Sequence, residues 1–184
     1  DAAGNVGTSK ATMVTTWAAS AQSTDWTISG SAKFVGGWLE VTPKLGEQQG
    51  RSYFHSIVPT SGQVSVSFDL SVSGDADGIC VPFFNNPNDF STVYSGGSPL
   101  GCKGMTGTFF VGIQEFGNDT VQFGRLPNTL DSQQGVSGLA NAGTVRVTII
   151  LTPTGGSTVV DVRAQIGSTG PQSVATTTLS GTLP

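Results

Sequence analysis

The 184-residue chain has few charged side chains: Asp, Glu, Lys and Arg together make up 11% of it, where about 25% is usual. Its eight basic residues are outnumbered by twelve acids, which gives a formal net charge of −4. Because nucleic-acid-binding surfaces neutralise phosphates with Lys and Arg, this shortage predicts that the chain has no nucleic-acid partner. No apolar run approaches the roughly 20 residues of a membrane-spanning helix, so no membrane insertion is expected.

Cysteine is also scarce, and the chain has only Cys80 and Cys102. An even number of cysteines in a chain with few charges and many hydroxyl groups is typical of an oxidising compartment. We therefore predict a Cys80–Cys102 disulfide and a secreted protein, located outside the cell or on its surface. Two buried free thiols are the alternative.

Patterns typical of helices are almost absent. Only "ATMVTTWAASAQ" suits a helix, and its Val and Thr residues lower its helix propensity. Apolar and polar residues instead alternate, as in "QVSVSFDLSVS" over 63–73. A period of two places the apolar residues on one face of a strand and the polar residues on the other.

The same alternation recurs at 144–152 and 157–166, and the Pro-Thr-Gly-Gly segment between them predicts a β-hairpin. Further strands are predicted at 31–35, 38–42, 52–58, 78–84, 108–116, 119–124 and 172–179. No linker divides the chain, so we expect a single domain over 1–184. Many strands with alternating faces predict an all-β fold, a two-sheet antiparallel sandwich.

One stretch needs a reason beyond packing: "GDADGICVPFFNNPNDFSTVYSGGSPLGC", residues 74–102. It combines Asp75, Asp77 and Asp89 with an apolar run and a Gly-Gly loop. A carboxylate at a strand end can accept hydrogen bonds from neighbouring hydroxyls, and the backbone N–H of a glycine-rich loop can donate one. These groups together would suit a polar ligand.

A second polar cluster, Glu115, Asn118 and Asp119, lies at the end of the predicted strand 108–116. The runs 78–84 and 108–113 are apolar at nearly every position, which predicts strands that are covered on both faces or that carry large side chains lining a concave surface. If both strand ends open on one edge of the sheet, the two clusters form a single site. Ordinary turn residues are the alternative, since Asp and Asn favour turns.

Four segments, in this order, resemble the legume-type (L-type) lectins: "VSVSFDLSVSGDADGICVPFF", "SGGSPLG", "FFVGIQEFGND" and "VRVTIILTPTGGSTVVDVRA". The earlier segment "GGWLEVTPKLGEQQGRSYF" is similar to the family's first strands. The resemblance covers roughly 34–166. It implies a concanavalin A-like jelly roll that binds a glycan or polysaccharide without catalysis.

The resemblance also assigns roles to single residues. Asp77, in Ala76-Asp77-Gly78, would be the sugar-binding carboxylate, and Gly97 would donate a backbone N–H to the same sugar. The asparagine of such a site has three candidates, and an aromatic residue of the same stretch could pack on the sugar ring. These further candidates are Asn85, Asn86, Asn118 and Tyr94.

The resemblance places a metal site at Glu115, Asn118 and Asp119, but one expected ligand is missing. The family has Glu-Phe-Asp where this chain has Glu115-Phe116-Gly117. The family's later metal-site histidine has no counterpart, because the one histidine here is His55. A single calcium ion is therefore the most that we expect, with no other cofactor.

Two other functions stay open. A structural subunit of an extracellular filament, surface layer or viral coat would reuse the fold, and the strand-like ends "SKATMVTTWAAS" and "SVATTTLSGTLP" could pair with a neighbouring copy to form a homo-oligomer. A polysaccharide-active enzyme would need paired carboxylates. Glu115 has no acid two or five positions later, so this strand cannot present such a pair. We expect no enzymatic activity and no catalytic residue.

Overall fold

The computed structural model describes residues 13–16, 26–36, 38–42, 50–54, 62–71, 78–84, 100, 102, 108–114, 119–126, 130–139 and 142–181. These residues form strands and turns, and no helix occurs among them. The strands, in chain order, are β1 (Met13–Thr16), β2 (Trp26–Gly30), β3 (Lys33–Val35), β4 (Trp38–Glu40), β5 (Gly50–Phe54), β6 (Val64–Ser71), β7 (Gly78–Phe83), β8 (Thr108–Gln114), β9 (Thr120–Leu126), β10 (Leu130–Gly135), β11 (Thr144–Thr154), β12 (Ser157–Gln165) and β13 (Gln172–Ser180).

Two sheets form the body of the fold. The five-stranded sheet has the order β1-β6-β11-β12-β13, and the four-stranded sheet has the order β10-β9-β8-β7. Every pair is antiparallel except β1 with β6, which is parallel. Two further pairs, β2–β5 and β3–β4, are antiparallel as well. The predicted all-β, two-sheet antiparallel sandwich is confirmed; its jelly-roll connectivity stays a prediction.

The core lies between the two large sheets and follows from the alternation of the sequence. On β11, every second residue from Val145 to Leu151 is buried, and Ile149 is fully buried. Facing residues of β8 and β9, led by Phe109 and Phe123, complete the same cluster. Burial of these side chains is the main term that stabilises the sandwich.

The outer face of the four-stranded sheet, meaning the face turned away from the five-stranded sheet, is covered as well. Phe110 is fully buried there with Cys102, and Cys80 and Phe84 pack against them. Cys80 and Cys102 form the predicted disulfide. The ring of Tyr53, on β5, meets the ring of Phe84 edge-on at 5.9 Å. This explains why β7 and β8 are apolar on both faces, as predicted.

The predicted hairpin is formed by β11 and β12. Thr154 and Ser157 are the last cross-strand pair, which leaves a two-residue loop of Gly155 and Gly156. Both glycines have positive φ, 52° and 98°. Two consecutive positive φ angles are what a type I′ turn requires, and glycine adopts them without strain.

Side chains of β9 and β10 join one edge of the four-stranded sheet to the edge strand β13. Gln134 Nε2 donates to Thr176 O (2.7 Å), and Thr176 N donates to Gln134 Oε1 (2.9 Å). Ser132 Oγ donates to Thr177 Oγ1 at 3.1 Å, and Arg125 Nη2 donates to Ser180 Oγ at 2.8 Å. The amide of Gln134 thus pairs with the edge of β13 as a neighbouring strand would.

Three strands were not predicted. β1 lies inside the segment with the helix-like composition, β2 follows a Trp-Thr-Ile-Ser alternation that the prediction passed over, and β10 has the sequence Leu-Asp-Ser-Gln-Gln-Gly. β10 carries no apolar alternation. It is held in place instead by its pairing with β9 and by the polar contacts to β13.

Candidate functional site

Three strands of the four-stranded sheet have their ends side by side, at the edge of the sheet that the strand ends form. Gly78, which begins β7, pairs with Gln114, which ends β8, and Gln114 pairs with Thr120, which begins β9. The condition for a single polar site, that the strand ends of 78–84 and 108–116 open on a common edge, is therefore met for the described residues. We call Gly78, Gln114 and Thr120 the edge row.

The predicted sugar and metal contacts flank this row in sequence, but most lie outside the described residues. Asp77 directly precedes Gly78, and Glu115 directly follows Gln114. Also outside the described part of the chain are Asn85, Asn86, Tyr94, Gly97 and Asn118. Their roles stay predictions.

Asp119 is the one predicted metal ligand that the structure describes. It lies directly before Thr120, and its carbonyl oxygen accepts a hydrogen bond from Val136 N at 2.8 Å. Among the described residues, no group of three or more His, Cys, Asp and Glu side chains could hold a metal ion. Because Glu115 and Asn118 are not described, the calcium site stays a prediction.

Gly78 has a conformation that only glycine fits. Its φ is 134°, and a Cβ at this position would lie 2.1 Å from the carbonyl oxygen of Ile113. Backbone contacts this short cannot be relieved by rotating a side chain. The Gly of the Ala-Asp-Gly motif is thus required for β7 to start against β8, at the residue that follows Asp77.

Two glutamines, Gln114 of the edge row and Gln122, meet on the outer face. Gln122 Nε2 donates a short hydrogen bond to Gln114 Oε1, and Thr120 Oγ1 donates to the same oxygen at 3.4 Å. Gln122 is buried, with only 6% of the residue exposed. Its Oε1 has no hydrogen-bond partner within the described part of the chain. Buried polar atoms without a partner are rare, and each calls for an explanation.

Leu100 and Cys102 lie against the same face. Leu100 has a φ of 50°, which is uncommon for a residue with a side chain. A Cβ on Gly112 would lie 3.0 Å from Leu100 Cδ1 and 3.3 Å from Gln122 Cβ. Gly112 therefore leaves the room that these two side chains fill, and the disulfide holds the chain close by.

Sequence analysis missed Gln114, Gln122 and Gly112. A signal was present in "VQFG", residues 121–124, because a glutamine interrupts a short run whose other residues are apolar or glycine. A polar residue on the covered side of a strand indicates either a buried hydrogen-bond network or a site.

The other sheet carries a separate polar cluster around Asp161. Burial raises the pKa of this carboxyl, but the hydrogen bonds that it accepts from Ser173, Arg163 and Thr176 together outweigh burial and lower the pKa below its usual value. All of its partners lie on β12 and β13. The cluster is thus satisfied within its own sheet.

The chain matches no protein-family model and no curated protein sequence. Within the described ranges, no helix is long and apolar enough to cross a membrane.

Proposed function

We propose that this chain is a non-catalytic carbohydrate-binding domain of the lectin-like, jelly-roll type, with its site at the edge row. The observation that carries the proposal is the register of three strands: Gly78, Gln114 and Thr120 are successive cross-strand partners. The two acidic segments of the sequence are attached to the ends of these strands. A polar ligand at this edge would therefore meet both.

The chemistry of the edge suits a sugar. Vicinal hydroxyls of a sugar donate to carboxylates and accept from backbone N–H groups. Asp77 is bonded to Gly78 and Glu115 to Gln114, so each acid adjoins a residue whose position the sheet fixes. In this proposal Asp77 accepts from the sugar, Gly97 donates to it, and Tyr94 packs on its ring.

The covered outer face adds support. Leu100 and Cys102 end the glycine-rich stretch, and the disulfide ties that end to β7. A loop anchored in this way loses less conformational entropy when it binds a ligand. Disulfides persist in oxidising environments, which agrees with a secreted or surface-exposed domain.

The test is a glycan array probed with the purified domain in calcium and again in EDTA. We expect binding by the native chain, no binding by Asp77→Ala, and retained binding by Asp131→Ala, which removes the same charge from an exposed side chain on β10. Circular dichroism and a thermal melt check that both variants fold. Loss of binding in EDTA would support a calcium ion at Glu115, Asn118 and Asp119, and binding that persists would indicate a metal-free site.

Two results would contradict the proposal. Equal binding by Asp77→Ala and the native chain would show that the site lies elsewhere. An array with no bound glycan in either condition would rule out carbohydrate binding as the function.

A structural or assembly subunit is the second candidate. It is favoured by β1, a four-residue strand at the edge of the five-stranded sheet that pairs with β6 in parallel. A strand at the edge of a sheet is suited to pairing with another copy. Light scattering after size-exclusion chromatography would support this candidate if the mass were two or more times 18.8 kDa. A monomer at all concentrations would count against it.

A further inference from the structure

The β3–β4 hairpin exposes an unusual amount of apolar surface. Val35 is 50% exposed and Trp38 is 45% exposed. These two residues are cross-strand partners next to a two-residue connection that contains Gly36, whose φ is 57°. Tryptophan is normally well buried, because its side chain is large and mainly apolar. An exposed pair of this kind on a short hairpin therefore needs an explanation.

A charged pair lies on the same face. Lys33 and Glu40 are the next outward-facing partners along the hairpin, and Lys33 Nζ is 3.1 Å from Glu40 Oε2. Phe34 and Leu39, which alternate with these residues, are half-buried on the other face. Lys33, Val35, Trp38 and Glu40 thus form a two-by-two array, which we call the hairpin platform.

The dimensions of the platform follow from sheet geometry. Directly opposite Cβ atoms are about 5 Å apart, and successive outward residues on one strand are about 7 Å apart. The array is therefore about the size of one sugar ring. Half of it is apolar, and the other half presents the Lys33 ammonium and the Glu40 carboxylate, whose side chain is 34% exposed and whose Oε2 is buried.

We propose that the hairpin platform binds one pyranose ring of a neutral oligosaccharide with mainly equatorial hydroxyls. The axial C–H groups of such a ring form a flat apolar face that packs on the Trp38 indole. Its hydroxyls, at the rim, then reach Glu40 and Lys33. The charges of these two side chains offset each other, which suits a neutral ligand in a chain whose net charge is only −4.

A protein partner fits the platform less well. Stable protein interfaces use about 20–30 residues from each side. In the described part of the chain, the large exposed apolar side chains are Ile28, Val35 and Trp38. A patch of that size, with a charged pair as half of its surface, matches a small polar ligand better.

The four residues of the hairpin platform differ from those of the edge row and of the proposed lectin site. The two can therefore fail independently. Binding of one glycan chain at two places would need both the platform and the lectin site. The platform alone is expected to contact a single sugar ring.

The test is ¹⁹F NMR on the native chain labelled with 5-fluorotryptophan. The chain has three tryptophans. The Trp38 resonance is assigned by its loss in Trp38→Phe. Cellohexaose and chitohexaose are the probes. We expect the Trp38 resonance to shift with either probe while that of Trp26, which packs on Phe54 with ring centroids 5.5 Å apart, stays in place.

Variants sharpen the test. Measured by isothermal titration calorimetry with the same probes in the Asp77→Ala background, Trp38→Ala should weaken binding by about fivefold to tenfold, the worth of one aromatic contact. Ile28→Ala removes a similarly exposed apolar side chain from β2 and should leave the affinity unchanged. Asp77→Ala should leave the Trp38 shift intact, which separates this proposal from the lectin site.

Three outcomes would overturn the inference. The first is a Trp38 resonance that neither probe shifts. The second is a Trp38 shift that disappears in Asp77→Ala, because the platform would then not be a separate surface. The third is a resonance that moves with protein concentration in the absence of sugar, together with a doubled mass in light scattering, since the face would then bind a second copy. Thermal melts of all the variants exclude unfolding as the cause, and those of Trp38→Ala and Ile28→Ala should match the native chain, because the replaced side chains are 45% and 40% exposed.

Discussion

Asp69 on β6 and Arg146 on β11 are cross-strand partners and form two hydrogen bonds in parallel, Nε to Oδ1 at 2.8 Å and Nη2 to Oδ2 at 2.9 Å. They lie on the solvent side of the strand pair at the centre of the five-stranded sheet. The hydrogen bond from Arg146 lowers the pKa of Asp69 below its ordinary value of 3.8. Ionisation of Asp69 therefore helps to hold β6 against β11.

The stabilising effect of this pair should depend on pH. Because the pKa of Asp69 is lower in the folded protein, its contribution is present above pH 3.8 and is lost as the pH falls through the folded-state pKa. We expect Asp69→Asn to lower the urea midpoint at pH 7 and to differ less from the native chain near pH 3. Added salt should also reduce the difference at pH 7, since the pair is exposed to solvent.

A suitable control is Asp131→Asn, because Asp131 lies 3.9 Å from Arg125 Nε and has an exposed side chain. It should change the midpoint little at either pH. If Asp69→Asn were as stable as the native chain at pH 7, the pair would contribute nothing and the prediction would be wrong.

The disulfide should make a large contribution to stability. Cys80 and Cys102 are 22 residues apart, and closing a loop of that length in the unfolded chain is worth roughly 3 kcal/mol in the chain-entropy model. We expect the double variant Cys80→Ala, Cys102→Ala to lose about this much free energy of unfolding in urea. The native chain with reductant should behave in the same way, and equal midpoints with and without reductant would contradict the prediction.

Gly78 should not tolerate a side chain. Ala at this position would have to adopt a φ of 134° and place its Cβ 2.1 Å from Ile113 O, so we expect a loss of about 2–4 kcal/mol in the free energy of unfolding. Gly135→Ala is the matched control, because a Cβ there meets nothing within 4 Å. The comparison fails if both variants unfold at the same denaturant concentration.

Gln134 should protect the edge of β13. Gln134→Ala removes both hydrogen bonds to the Thr176 backbone, at a cost of about 1 kcal/mol. Amide hydrogen exchange, read by NMR, should be faster at Thr176 in this variant and unchanged in Gln133→Ala, whose side chain comes from an exposed neighbouring position. Faster exchange in both variants would point to a general loosening of β10 instead.

Sequence patterns predicted the sandwich because its strands are amphipathic or fully covered. The alternation of Val64, Val66 and Phe68 predicted β6, and the unbroken apolar run of β8 correctly indicated cover on two faces. β10 could not be found in this way. Its position depends on the β9 backbone and on Ser132 and Gln134 binding to β13, and such partners have no signature in a local window.

The site was predictable only in part. The sequence left open whether the two strand ends share an edge, and the pairing of Gly78 with Gln114 shows that they do. The role of Gly112 could not be foreseen, since it depends on Leu100 approaching from a distant part of the chain. The exposure of Trp38 was also missed, because the sequence of a short hairpin does not reveal which of its faces the rest of the protein covers.

The position of β11 has a consequence for how the chain reaches its native state. This strand lies between β6 and β12, at the middle of its sheet, yet all four strands of the other sheet separate it from β6 along the chain. During synthesis, β6 must therefore wait for its partner until β7–β10 have left the ribosome. Contacts this distant in sequence form slowly. A chain truncated before residue 144 would expose the apolar face of β6 without the strand that pairs with it, and would be prone to aggregate.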